Sequence, residues 1–154
     1  MNELLRHTLA TVAYRAGKAT VGAPPEFAAF RLDQTSRTPA EILAHMGDLF
    51  DWALSIANGR EQWHNSNPLP WEREVARFFT ALEAFDARLA QAEPLGASAD
   101  RLFQGPIADA LTHIGQLAML RRVSGSRVPG ENYFVAAVTI GRVGQNQPKP
   151  VQEF

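Results

Sequence analysis

Apolar residues recur at three- and four-residue spacing in four stretches of the chain, separated by breaks rich in Pro, Gly and Asn. The first stretch runs from about Asn2 to Ala19, with Leu5, Leu9, Val12, Ala13 and Ala16 on one stripe, and Gly22-Ala23-Pro24-Pro25 ends it. A connector from Glu26 to Arg37 follows, in which Phe27, Phe30 and Leu32 are expected to pin the chain to the bundle. The second helix opens at Thr38-Pro39-Ala40-Glu41, where Thr38 suits the N-cap, Pro39 the first helical position and Glu41 a capping box. Its core stripe is Ile42, Met46, Leu49, Ala53 and Ile56, and Asn58-Gly59 is a good stop.

The third helix, from Pro70 or Trp71 to about Ala92, carries the cleanest amphipathic signal: Trp71, Val75, Phe78, Phe79, Leu82, Phe85 and Leu89. This aromatic set reads as core rather than as a cofactor box. The fourth helix is expected to begin at Gly105-Pro106 and reach Arg121-Arg122, with Ile107, Leu111, Ile114 and Ala118 on one face. Glu131 to Ile140 suits either a short fifth helix or a strand, and Gly144 to Phe154 a polar tail. The pattern predicts an all-α protein: a four-helix bundle with a short C-terminal extension, one domain over residues 1–154. The long connector after the first helix leaves the topology open.

Composition narrows the functions. Charged residues make up 20% of the chain and the formal net charge is -1, so no nucleic-acid partner is expected. No window approaches the roughly 20 apolar residues of a membrane span. The N-terminus carries Glu3 and no apolar run after its basic residues, unlike a signal peptide. A soluble, cytoplasmic protein is therefore expected. The chain has no cysteine, so any metal must be held by His, Asp or Glu, and any thiol chemistry needs a thiol from outside. No phosphate-binding glycine loop is visible, since Gly141-Arg142-Val143-Gly144 follows no strand and opens no helix, and there is no nucleophile elbow.

The candidate chemistry lies on the second and fourth helices. At about 100° per residue, His45 falls between Leu49 and Trp52 at the edge of the core stripe. An imidazole there needs a partner, because a buried unpaired polar group costs about 1–3 kcal/mol. Asp109 and His113 are four apart and stack on one helical face, the spacing by which a helix presents two ligands to one ion. Gln116 and Leu120 extend that face, and Asp109 is expected in the first turn, where the helix dipole favours a carboxylate. Two imidazoles and a carboxylate suit Zn, Ni, Fe or Mn and leave positions open for water or substrate.

A blander reading stays open: a surface Asp109–His113 pair and a core His45 bonded to a backbone carbonyl. Asp48 is placed to support His45 from behind, whereas Asp51, His64 and His7 are expected to be solvated or off the site. Arg121-Arg122 is expected to cap a helix C-terminus, the alternative being that one of the two faces a substrate carboxylate.

Three segments resemble the DinB/YfiT-like superfamily: Thr38-Pro39-Ala40-Glu41-Ile42-Leu43-Ala44-His45-Met46, Ala110-Leu111-Thr112-His113-Ile114-Gly115-Gln116-Leu117, and Gly130-Glu131-Asn132-Tyr133-Phe134 with Gly141-Arg142-Val143-Gly144-Gln145. The resemblance implies a four-helix bundle, commonly a homodimer, holding a divalent metal with one second-helix histidine and an H-x-x-x-H pair on a late helix. His45 and His113 match two of those positions. Asp109 stands where the family has histidine, and Ile114 where arginine often precedes Gly-Gln-Leu. The activities implied are thiol-dependent S-transfer or isomerisation with a low-molecular-weight thiol, or metal-dependent hydrolysis of a small-molecule substrate. The alternative is a non-catalytic bundle that binds a small ligand or protein partner, its metal site structural or lost.

Overall fold

Each helix begins and ends where its local chemistry directs. The computed structural model describes residues 2–154. In it α1 spans Glu3–Thr20, α2 Pro39–Ala57 and α3 Trp71–Leu89. α4 (Ala99–Leu102), a π-helical turn (Phe103–Ile107) and α5 (Ala108–Val123) then follow without a break. The start of α2 has the full capping box: the Glu41 N–H donates to Thr38 Oγ1 at 3.2 Å, and the Thr38 N–H donates to the Glu41 carboxylate at 2.7 Å.

The last helical run starts earlier than its sequence suggests. Ser98 caps it, and Pro106 lies inside the run rather than at its head. Proline has no N–H to donate, and its ring would clash with the carbonyl four residues back. The wider π turn absorbs both problems. Asp109 is therefore not at a free helix end, because the Ala108 N–H is already bonded to Gly105 O and Phe103 O. The dipole stabilisation expected for Asp109 does not apply. The buried face of α5 also differs from the expected one. Ala110, Ile114, Leu117 and Leu120 face the core, Leu111 is half-buried and Ala118 is exposed.

The four long helices close a ring. α2 packs most extensively on α3, α1 lies against both α3 and α5, and α5 completes the circuit on α2. α1 and α2 are thus diagonal, which is why a long connector joins them. Every position of the predicted α3 stripe is buried, with Phe78, Leu82 and Phe85 fully sequestered. Those aromatics are consumed by the protein's own core, so they offer nothing to a dimer interface.

In the connector Phe27 is buried edge-on against Trp71, at 5.5 Å between ring centroids. Leu32, expected to pin the connector, is 57% exposed. Backbone N–H groups donating to the Asp33 and Ser36 side chains hold that turn without burying it. Residues 131–140 form neither helix nor strand beyond a 3-10 turn at Tyr133–Val135, which Asn132 caps through the Phe134 N–H. A single antiparallel bridge joins Glu131 to Glu153.

Arg121 is buried and donates to Ala19 O at 3.0 Å, Val21 O at 2.8 Å and Ser126 O at 2.8 Å. It closes the C-termini of both α1 and α5, a wider version of the capping expected of it. Burial holds its pKa below the usual arginine value. Among the described residues, no helix is long and apolar enough to cross a membrane.

Candidate metal centre

α2 and α5 are neighbours in the ring, and their facing edges carry the three side chains singled out by spacing. His45 Nε2 lies 3.2 Å from Asp109 Oδ2, and His113 Nε2 lies 3.4 Å from Asp109 Oδ1. The two imidazole rings meet edge to face, 4.8 Å between centroids. One ligand atom from each of the three lies within 4.8 Å of the other two, so one cation can reach all three at ligand distances of about 2 Å. The π turn contributes here. It adds a residue to the turn immediately before Asp109 and so sets which face of α5 carries Asp109 and His113.

The orientation of His113 is fixed from behind. Its Nδ1 stands 2.8 Å from Gln116 Oε1. With the amide oxygen assigned to that side, Nδ1 carries the ring proton and Nε2 keeps a lone pair. That lone pair faces a carboxylate oxygen, two acceptors with nothing to share unless a proton or a metal ion stands between them. On the other side Trp63 packs edge-on against His45, 5.7 Å between centroids, and Trp52 packs against Trp63 at the same distance. His45 and His113 open on a cleft of about 760 Å³, whose walls include Ile42, Gln116, Met119 and Leu120, with Arg37 the one Lys, Arg, Asp or Glu in its lining.

A second group of potential ligands lies one turn further along α2. Asp48, Asp51 and His64 also bring ligand atoms within 4.8 Å of one another. Asp48 was expected to support His45, but it faces α3 instead. Its carboxylate accepts from the Ser66 N–H at 2.8 Å and the Ser66 hydroxyl at 2.7 Å, and it pairs with Arg77. Arg77 also reaches Asp51 at 3.0 Å, Glu74 at 3.2 Å and Ala44 O at 3.0 Å. Burial opposes ionisation of Asp48, but the Ser66 and Arg77 bonds outweigh it and hold its pKa below the usual carboxylate value. His64, expected to be solvated, is half-exposed with Nε2 at 3.1 Å from Asp48 and 3.3 Å from Asp51. His7 is exposed and belongs to neither group.

Arg77 reaches this group only because α2 has Gly47 where the helices cross. A Cβ at Gly47 would stand 2.6 Å from Arg77 Nη1. The group also fixes the segment between α2 and α3. Ser66 is bound to Asp48, the Leu69 N–H donates to Glu74 at 2.7 Å, and the Gln62 N–H donates to Ser55 at 3.0 Å. Trp63 is thereby held over His45.

Sequence reasoning placed Gln116 on the Asp109–His113 face but assigned it no role, and it missed Trp63, which sits in a loop where periodicity says nothing. Comparison of the chain with protein-family models, with curated proteins and with solved structures returned no match.

Proposed function

We propose that this chain is a DinB/YfiT-like metal-dependent enzyme acting on a small molecule, of the thiol-dependent S-transferase or hydrolase type, with His45, Asp109 and His113 holding a divalent ion. One observation carries the reading: two imidazoles and a carboxylate from different helices converge, and among the described residues no lysine or arginine pairs with the carboxylate. Two nitrogens and an oxygen fit Zn, Ni, Fe or Mn. Such an ion, when bound, supplies Lewis-acid activation of a nucleophile, a water or an external low-molecular-weight thiol.

The remaining work falls to the chain itself. Gln116 holds His113 with Nε2 turned to the site. Trp63, packed edge-on against His45 and backed by Trp52, limits access to His45 from the loop side. The apolar walls of the cleft favour a substrate with an apolar body, and Arg37 offers a charge at its rim.

A second reading has its own support. Asp109 is 44% exposed, and its contact with His45 at 3.2 Å can be closed by a proton alone. On that reading the trio is an ion-paired cluster in a non-catalytic bundle that binds a ligand or partner. Metal analysis of protein purified without added metal separates the two. The enzyme reading expects close to one equivalent of a transition metal, lost in His113→Ala. Folded, metal-free protein that takes up neither Zn nor Ni favours the second. We also propose the homodimer that the family resemblance implies; sedimentation at micromolar concentration that finds only a 16.9 kDa species excludes it.

A further inference from the structure

A second cleft, of about 430 Å³, lies beside the histidine cleft on α5, where Gly115 and Met119 line both, and is walled by α1, α5 and the C-terminal segment. Its charge is unbalanced. Arg15 and Lys18 of α1 and Arg122 of α5 line it, against one acidic side chain, Glu131. That carboxylate is already satisfied: its side chain is fully buried, Lys18 Nζ lies 2.6 Å from Oε2, and the Tyr14 hydroxyl donates to it. Burial and this partner push the Tyr14 hydroxyl well above its ordinary pKa, so it stays protonated as the donor. Glu153, joined to Glu131 by the backbone bridge, does not line the cleft.

Arg15 and Arg122 are left over. Neither takes part in an ion pair among the described residues. The Arg15 guanidinium carbon sits over the Tyr133 ring, 3.9 Å from its centroid. A cation–π contact occupies none of the N–H donors, which stay available for the two parallel hydrogen bonds by which arginine recognises a carboxylate. The walls beside these cations are apolar, from Leu111, Ala118 and Met119 of α5 and from Phe154.

We infer that this cleft is a binding site for a small carboxylate with an apolar body, its head held by Arg15 and Arg122 and its body against α5 and Phe154. The volume falls in the range of small-molecule pockets. A bare phosphate is a poorer match, because no helix N-terminus or glycine loop offers backbone N–H groups there. The inference does not depend on a metal at His45, Asp109 and His113.

The test is calorimetric titration of the full chain with 4-phenylbutyrate, and with 4-phenyl-1-butanol as its uncharged counterpart, in the presence of a metal chelator. Saturable binding of the acid and at least tenfold weaker binding of the alcohol are expected. Arg15→Gln and Arg122→Gln should each weaken the acid at least tenfold. Arg73→Gln, on the outer face of α3, and His113→Ala should leave it unchanged. Equal binding of acid and alcohol, indifference to both arginine variants, or no binding of the acid at millimolar concentration overturns the inference. So does loss of binding in His113→Ala or Arg37→Gln with none in Arg122→Gln, which places the ligand in the other cleft. Should Arg15→Gln prove misfolded by circular dichroism, the exposed Arg122 decides the matter alone.

Discussion

Two groups of acidic and imidazole side chains sit a turn apart on α2, and each meets the distance requirement for a metal site. They differ in what neutralises them. Asp48, Asp51 and His64 enclose Arg77, whose guanidinium is shared with Glu74 and held in a slot that Gly47 provides. Among the described residues, no lysine or arginine pairs with Asp109 between His45 and His113. The contrast separates geometry from function: convergent ligand atoms mark a metal site only where the protein has not already supplied the counter-charge. The first cluster is structural, stapling the α2–α3 segment and with it Trp63. On the proposed reading, the second is the one completed by an ion from outside.

The largest effect should come from removing that internal cation. Arg77→Met leaves Asp48 buried and unpaired, and breaking a buried pair costs about 3–5 kcal/mol. Urea denaturation should show a loss of at least about 3 kcal/mol. If the two clusters truly differ only in Arg77, the variant should also gain a second metal equivalent and recover stability on adding zinc. A variant that stays at one equivalent breaks the comparison.

Acid should act on the Arg77 cluster next. The folded-state pKa of Asp48 is depressed, so its contribution is fully present above the ordinary carboxylate value and is lost as pH falls through the depressed one. Stability followed by denaturant melts should decline below about pH 4, and Asp48→Asn should remove part of that dependence. A wild-type acid profile unchanged in Asp48→Asn would contradict the assignment. A smaller effect is expected at Gly47. Gly47→Ala should displace Arg77 and cost about 1–3 kcal/mol by crowding, as thermal melts would show.

The smallest stability effects belong to the open cluster. Asp109 is half-exposed and its neighbours are polar, so His113→Ala and Asp109→Asn should change metal-free stability by about 1 kcal/mol or less. Their effect appears only with metal. At a free-ion concentration one hundred times Kd, wild type should gain about 2.7 kcal/mol, and His113→Ala nothing. Asp109→His should keep or tighten binding, since it restores the ligand set that the family resemblance implies.

How much of this was legible beforehand follows from what periodicity encodes. The α3 stripe and the Thr38 capping box are local signals, and each appears where spacing placed it. The convergence of His45 with Asp109 and His113 was legible because each pair-wise step depends on a helical face. The start of the last helical run was not. Pro106 looks like a helix head in sequence, and only the π turn lets it sit inside. That turn also rotated the buried face away from Ala118. The partner of Asp48 was equally hidden, since Arg77 comes from another helix and nothing local distinguishes it from a solvated arginine. The C-terminal segment gave an ambiguous pattern because it is organised by contacts to α1, through Glu131, rather than by its own backbone ladder.

Crystals soaked in zinc and measured across the zinc absorption edge should show one anomalous peak, within about 2.0–2.2 Å of His45 Nε2, His113 Nε2 and an Asp109 oxygen, and none between Asp48, Asp51 and His64. A peak at the Arg77 cluster, or none at His45, Asp109 and His113 in saturating zinc, would contradict the proposed metal centre.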